Sequence, residues 1–209
     1  NGTSDVGETR MFHEDSDCDG IDDGFEDANH NGIFETPSET HPLKKDSDND
    51  TLKDGDEDRD HDGVVKAWFD ADGDGCFGNG DTVGETDPRK IDSDGDLIAD
   101  NAEDQNGDGL CGAGETCAWS SDTDCDGVND GHEDINRNGV RDRGELDPLD
   151  PDSDGDGLAD GVEDENGNSF WDVGETDPLQ RDTDHDGIAD GVEDRDHDGV
   201  VDAFFGDVI

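Results

Sequence analysis

The chain has 209 residues, of which 65 are acidic and 13 are basic, and its formal net charge is −52 at pH 7. Only 26% of the residues are hydrophobic, too few to build a conventional core. The charge excludes nucleic acid and anionic membrane surfaces as partners, and no stretch is apolar and long enough to predict a membrane span. Such a composition is typical of disordered chains unless cations neutralise the carboxylates.

An acidic pattern, Asp-Ser/Thr-Asp-x-Asp-Gly, recurs six times, with the glycine replaced in two of the copies. The intervals between copies are 31, 46, 30, 30 and 30 residues. A repeat of this length indicates an array of small units rather than one globular core. The copies begin at Asp15, Asp46, Asp92, Asp122, Asp152 and Asp182. In chain order the predicted segments are an N-terminal half-repeat over 1–14, repeats over 15–45, 46–91, 92–121, 122–151 and 152–181, and an incomplete repeat over 182–209. The six repeats are called units 1 to 6 below.

Each unit opens with a twelve-residue segment, the first loop, whose oxygen spacing matches an EF-hand calcium loop. Side chains at positions 1, 3 and 5, the backbone carbonyl at 7, a water-mediated group at 9 and a bidentate glutamate at 12 supply the oxygens. This all-oxygen set favours calcium over zinc or copper. The predicted ligands are Asp15, Asp17, Asp19, Ile21, Asp23 and Glu26; Asp46, Asp48, Asp50, Leu52, Asp54 and Glu57; Asp92, Asp94, Asp96, Ile98, Asp100 and Glu103; Asp122, Asp124, Asp126, Val128, Asp130 and Glu133; Asp152, Asp154, Asp156, Leu158, Asp160 and Glu163; and Asp182, Asp184, Asp186, Ile188, Asp190 and Glu193.

Two positions of the first loop deserve separate expectations. Position 6 is glycine except in units 2 and 3, where Thr51 and Leu97 predict strained or weaker loops. Position 7 is apolar in every copy, so its carbonyl is expected to face the ion while its side chain faces a neighbouring segment. This is the only regular source of core in the sequence.

An acidic residue follows each position-12 glutamate and opens a second twelve-residue loop. Its predicted ligands are Asp27, Asn29, Asn31 and Ile33; Asp58, Asp60, Asp62 and Val64; Asp104, Asn106, Asp108, Leu110 and Glu115; Asp134, Asn136, Asn138, Val140, Asp142 and Glu145; Asp164, Asn166, Asn168, Phe170, Asp172 and Glu175; and Asp194, Asp196, Asp198, Val200 and Asp202. In unit 1, Ser38 stands at position 12 and Glu39 is the alternative closing ligand. Unit 2 contains an inserted loop with candidate ligands Asp70, Asp72, Asp74, Cys76 and Asp81.

The close succession of the loops leaves no room for the helix that follows an ordinary EF-hand loop. We therefore expect an irregular fold with little regular secondary structure, an elongated array of calcium-wrapped, EF-hand-like loops without flanking helices. Proline turns such as Thr176-Asp177-Pro178 are expected to separate the units. Multiple calcium ions take the place of a hydrophobic core.

One stretch shows a family resemblance. Gly174-Glu175-Thr176-Asp177-Pro178-Leu179, followed by Asp182-Thr183-Asp184-His185-Asp186-Gly187, resembles the bacterial thrombospondin type 3 repeat. The resemblance extends from Asp15 to Asp202. It implies a calcium-wrapped, extracellular or cell-surface protein with a structural or adhesive role, and it leaves the partner open.

The five cysteines predict a disulfide framework if the protein is secreted. Cys111 and Cys117 form the most plausible local pair. Cys18 and Cys125 share the outward position 4 of their loops, which suits a bridge to another unit or subunit. The alternative is that some of these thiols stay free.

The two ends of the chain resemble complementary halves of one unit. The N-terminal part offers Glu8 without a front half, and the C-terminal part ends in Phe204, Phe205 and Ile209 without a closing acid. We expect a mature or excised product that assembles head to tail through Glu8, Phe204 and Phe205. The alternative is a fragment cut from a longer array.

The leading functional prediction is therefore an extracellular structural protein, the subunit of a calcium-stabilised filament or rigid stalk, whose partner is a second copy of itself. The alternative is a calcium-binding adhesion or dockerin-like module that presents a surface to a cell-surface or matrix partner. An acidic ion store is a third possibility. An enzyme is not expected, because the carboxylates follow metal-ligand spacing and no nucleophile–base constellation stands out.

Overall fold

The structure is a computed structural model that describes residues 15–69, 71, 77, 82–172 and 174–194. Within these residues the regular secondary structure consists of six four-residue α-helices, and there is no strand. They are α1 (Asp23–Glu26), α2 (Asp54–Glu57), α3 (Asp100–Glu103), α4 (Asp130–Glu133), α5 (Asp160–Glu163) and α6 (Asp190–Glu193). The predicted scarcity of regular secondary structure is confirmed.

Every helix occupies positions 9–12 of a first loop. In unit 2 the Asp54 carboxylate accepts hydrogen bonds from the Ser47 N–H (2.7 Å) and hydroxyl (2.6 Å). The Asp54 N–H in turn donates to the Lys45 carbonyl at 2.9 Å, which joins the start of the helix to the residue preceding the loop. Units 3, 4 and 6 repeat all of these contacts, and in units 1 and 5 the N–H of the position-2 serine likewise donates to the position-9 carboxylate. A Ser or Thr at position 2 and an Asp at position 9 thus close each loop from within.

A single helical turn is all that the sequence permits. The residue after α1, Asp27, already has non-helical angles (φ −83°, ψ 75°) and is the first residue of the second loop. The expectation that no helix flanks the loops therefore holds for the exit beyond position 12, while positions 9–12 form one turn.

Apolar packing depends on position 7 of the first loops. Ile21, Ile98, Val128 and Leu158 are almost completely buried, and Leu52 is 9% exposed. The equivalent side chains of the second loops are exposed instead, among them Ile33, Val64 and Phe170. The small core therefore consists mainly of first-loop side chains, joined by Leu146 and by Cys117, Ala118 and Trp119.

Consecutive units contact one another through glycine. The position-10 glycine Gly131 of unit 4 lies so close to unit 3 that a Cβ atom would overlap the Asp96 carbonyl, and Gly161 stands in the same way against Asp126. The Gly131 N–H donates to Asp96 Oδ2 at 2.9 Å. A second line of contacts joins the second loops to the preceding helices, where Gly139 abuts the Ala102 carbonyl.

The inserted segment of unit 2 leaves the array between Lys66 and Glu85. These residues are paired by the Glu85 N–H, which donates to the Lys66 carbonyl at 2.8 Å, and Phe69 and Thr82 form an antiparallel bridge. Trp119 of unit 3 is buried beside this segment, 6.3 Å from Trp68 between ring centroids. The insertion is therefore held at its base by main-chain pairing and aromatic packing.

A disulfide joins Cys111 to Cys117, as the sequence predicts. Cys125 is also disulfide-bonded, whereas Cys18 is an exposed free thiol. Among the described residues, no helix has the length and apolar character needed to cross a membrane.

Candidate metal centres

The carboxylates at positions 1, 3 and 5 of the first loops converge, as the spacing predicts. In unit 1, Asp15, Asp17 and Asp19 each place one carboxylate oxygen within 4.8 Å of the others, and units 2 and 3 contain the same grouping. The backbone holds them in place. Asp17 Oδ1 accepts the Asp19 N–H (3.2 Å) and Asp19 Oδ1 accepts the Ile21 N–H (2.8 Å). The Oδ2 atoms of Asp17 and Asp19 are buried and lack any hydrogen-bond partner.

The position-12 glutamates of the first loops are buried and lack most of the hydrogen bonds that a carboxylate normally accepts. Glu26, Glu57 and Glu133 are at most 2% exposed, and neither carboxylate oxygen of any of them has a hydrogen-bond partner. Glu103 differs only in that one oxygen accepts the Thr116 hydroxyl at 3.0 Å. Glu163 is equally buried, beside the Thr176 side chain. A buried, ionised carboxylate without a partner is strongly destabilising, because it has lost its hydration and no hydrogen bond or opposite charge compensates for that loss.

The unfavourable burial of these carboxylates is reflected in raised pKa values. Burial, reinforced by neighbouring aspartates, raises the pKa of Glu57, Glu103 and Glu133 to about 10 and that of Glu26 and Glu163 to about 9. Loss of solvent also raises the pKa of Asp19, Asp94 and Asp124 to about 7. Without a cation, these loops therefore favour protonated carboxyl groups at neutral pH.

A divalent cation fits these requirements. Unpartnered, buried carboxylate oxygens come from positions 3, 5 and 12 in units 1 and 2, and from positions 3 and 12 in unit 3, where Asp96 accepts the Gly131 N–H. Oxygen-only ligands in a flexible loop are typical of calcium, and a bound ion would compensate the buried charge. The first loops of the described units could therefore hold metal ions, with the predicted residues as their ligands.

Position 9 occupies a different place from the one expected. The sequence assigns Asp54 to the water-mediated ligand of its own loop, yet its carboxylate lies within 4.8 Å of carboxylate oxygens of Asp19 and Glu26 in the preceding unit. Asp54 is fully buried there. No sequence pattern within one unit indicates this neighbour.

The second loops differ from the first because protein donors satisfy many of their oxygens. In unit 4, Glu145 accepts N–H groups from Asn136 (3.2 Å) and Asp142 (2.9 Å). The side-chain amides of Asn136 and Asn138 both donate to Asp142 at 3.0 Å. These loops can therefore close without an ion, and their predicted ligands remain predictions.

Glu39 closes the second loop of unit 1. It accepts the N–H groups of Asn29 (3.3 Å) and Glu35 (3.1 Å), the same arrangement that Glu145 has in unit 4. Of the two candidates in this loop, the structure thus places Glu39, and not Ser38, at the closing position.

Sequence reasoning missed the residue that closes the second loop of unit 2. Glu85 accepts the Asp60 N–H (3.4 Å) and the Lys66 N–H (3.0 Å), although 25 residues separate it from Asp60. The insertion lies between positions 9 and 12 of this loop and so hides the spacing. The Gly-Glu-Thr-Asp-Pro sequence of residues 84–88, shared with residues 174–178, is the signal that could have revealed it.

Several predicted residues lie outside the described part of the chain. These are the inserted-loop residues Asp70, Asp72, Asp74, Cys76 and Asp81, the unit 6 residues Asp196, Asp198, Val200 and Asp202, and the subunit-contact residues Glu8, Phe204 and Phe205. No family model, curated protein or solved structure matches the chain. The resemblance to thrombospondin type 3 repeats therefore stays a prediction from the motif.

Proposed function

We propose that this protein is an extracellular, calcium-binding structural protein, a rod or stalk of repeats akin to thrombospondin type 3 repeats in which bound ions replace a hydrophobic core. The observation that carries the proposal is the buried, unpartnered glutamate at position 12, repeated from unit to unit beside converging aspartates. Only a cation of high charge compensates so many carboxylates without an apolar core. The Cys111–Cys117 disulfide supports an oxidising compartment.

Calcium removal is the direct test. We expect calcium to protect the chain from proteolysis and to give it a rigid, extended shape in small-angle scattering, and excess chelator to abolish both. Magnesium at the same concentration should protect far less, because it demands a stricter six-oxygen geometry. Protease resistance and shape that survive chelation would refute the proposal.

A matched pair of variants tests the role of the glutamates. Glu133→Gln should weaken calcium binding in unit 4 by about tenfold or more, because a buried anionic ligand is lost. In chelator the same change should stabilise the chain, because it removes a buried carboxyl group whose ionisation is unfavourable when no calcium is bound. Glu165→Gln, at an exposed position of unit 5 that is not a predicted ligand, is the control and should alter neither calorimetric calcium binding nor thermal unfolding.

An adhesion module is the second candidate, and one feature favours it. Trp68, Trp119 and Lys90 help to line an open cleft of about 510 Å³ beside the inserted segment. Phe69, next to this cleft, is 62% exposed. Calcium-dependent elongation of the purified chain by itself would favour the filament, and its absence would favour a module that needs another partner. The head-to-tail contact remains a prediction.

A further inference from the structure

The first-loop centre of unit 1 has a carboxylate from the next unit beside it. At the boundary between units 1 and 2, Asp19, Glu26 and Asp54 each place an oxygen within 4.8 Å of the others. Asp19 and Glu26 are positions 5 and 12 of unit 1, whereas Asp54 is position 9 of unit 2. The cluster therefore spans the boundary.

An independent observation indicates that this cluster needs a ligand. Glu26 is 1% exposed, and both its oxygens lack a partner, as does Oδ2 of Asp19. The Asp54 oxygens accept two hydrogen bonds from Ser47, and a carboxylate has about four acceptor sites in all. Asp54 can therefore keep these bonds and still coordinate a cation.

The same register is fixed at later boundaries. The N–H of the glycine that follows position 9 donates to the position-5 carboxylate of the preceding unit. The pairs are Gly131 with Asp96 (2.9 Å), Gly161 with Asp126 (3.2 Å) and Gly191 with Asp156 (2.6 Å). Each contact places the neighbouring position-9 aspartate at the edge of the preceding centre.

We infer that the ion of each first loop is completed by the position-9 aspartate of the following unit, so that one ion joins two units. This inference rests on the proposed calcium-binding function. It implies that a unit without its successor has an incomplete first centre.

Asp54→Asn tests the assignment in the full chain. Asparagine keeps the shape and can still pair with Ser47, so the loop of unit 2 should remain closed. Hydrogen exchange, followed by mass spectrometry through a calcium titration, reports each loop separately. The calcium midpoint for residues 15–26 should rise by about tenfold or more, and that for residues 46–57 should shift less.

The control is Glu57→Gln, which removes a ligand of unit 2 itself and should shift residues 46–57 more than residues 15–26. If Asp54→Asn shifts residues 46–57 as much as or more than residues 15–26, the shared site is wrong although calcium binding stands. If calcium protects no part of the unmodified chain, the proposed function fails instead.

A different observation concerns the second loop of unit 2, where a lysine takes the place of a ligand. The Lys66 ammonium lies 2.6 Å from Asp60 Oδ2, 2.7 Å from Asp62 Oδ2 and 3.8 Å from Glu85 Oε2. These carboxylates hold positions 3, 5 and 12. The ammonium thus lies among the groups that would otherwise surround an ion.

Comparison within the chain shows that this arrangement is specific to unit 2. Position 9 of the other described second loops is Glu35, Gly112, Asp142 or Asp172. In unit 4 the asparagines at positions 3 and 5 donate to Asp142, whereas in unit 2 the lysine at position 9 donates to aspartates at positions 3 and 5. In unit 4 the donors lie at positions 3 and 5 and the acceptor at position 9, whereas in unit 2 the donor lies at position 9 and the acceptors at positions 3 and 5.

We infer that Lys66 is a built-in cation that excludes calcium from this loop and holds the base of the inserted segment without metal. Like the shared site, this rests on the proposed calcium-binding function. Native mass spectrometry at saturating calcium tests it by counting ions per chain. Lys66→Asn should bind one calcium more than the unmodified chain.

Lys53→Asn is the control, because Lys53 pairs at 2.6 Å with Asp56, which is not a predicted ligand, and its removal should leave the number of ions unchanged. Equal counts for Lys66→Asn and the unmodified chain would overturn the inference. A chain that binds no calcium at all would overturn the proposed function.

Discussion

At some positions of this protein the backbone angle, and not only the need for an oxygen ligand, restricts which residue fits. Position 6 of every described first loop has a positive φ, from 91° at Leu97 to 118° at Gly20. Glycine adopts this angle freely, but a side chain does so only with strain. Thr51 (φ 95°) and Leu97 therefore lie in an unfavourable conformation, as their departure from the pattern predicts.

We predict that Leu97→Gly stabilises the calcium-loaded chain by about 1 kcal/mol, because it relieves this strain and Leu97 is half exposed. Thermal unfolding in saturating calcium measures the effect. Gly127→Ala is the reciprocal control. It has open space around it and φ 103°, so a loss of about 1 kcal/mol would reflect strain alone. A destabilised Leu97→Gly chain would show that the leucine side chain contributes more than the strain costs.

The helical turns α1 to α6 act as connectors between units rather than as independent helices. A four-residue helix is not stable by itself, because the conformational entropy lost on forming the first turn exceeds the stabilisation from its hydrogen bond. Each turn persists because Ser or Thr at position 2 binds its first residue, and in α2, α4, α5 and α6 a glycine also fits against the preceding unit. The element is therefore stabilised from both sides by loop contacts.

The two kinds of glycine in these turns should respond oppositely to alanine. Gly131→Ala should destabilise the chain by about 1–3 kcal/mol, because the new Cβ would overlap the Asp96 carbonyl. Gly24→Ala, at the same helical position in unit 1, meets no atom within 4 Å and should stabilise by up to about 1 kcal/mol. Denaturant unfolding in calcium compares the two, and equal effects would show that the units are not in close contact.

The whole molecule is an array whose folding is linked to cation and proton binding. The position-12 carboxyl groups of units 1 to 5 have pKa values of about 9 to 10 when folded without ions, against 4.5 for a free glutamate. A raised folded pKa means that the ion-free fold is favoured while the group is protonated. That stability is fully present below about pH 4.5 and is lost as the pH rises towards 9 or 10.

We therefore predict opposite pH responses with and without calcium. In chelator the melting temperature should fall as the pH rises from 4.5 to 9. Calcium binding displaces these protons, so apparent affinity should increase by about tenfold per pH unit for each proton displaced. Differential scanning calorimetry in chelator and in calcium measures both trends. A chelated chain whose melting temperature rises with pH would contradict the placement of the glutamates.

The sequence alone determined the period of the units, the scarcity of regular secondary structure, the convergence of positions 1, 3 and 5 and the burial of position 7 in units 1 to 5. These features are local, because each follows from spacing within about twelve residues. The tertiary structure decided which unit the Asp54 carboxylate faces, that Glu85 closes a loop begun at Asp58, and that Lys66 lies among its carboxylates. Such contacts depend on how units stack and on where an insertion leaves the array, and no spacing along the chain encodes either directly.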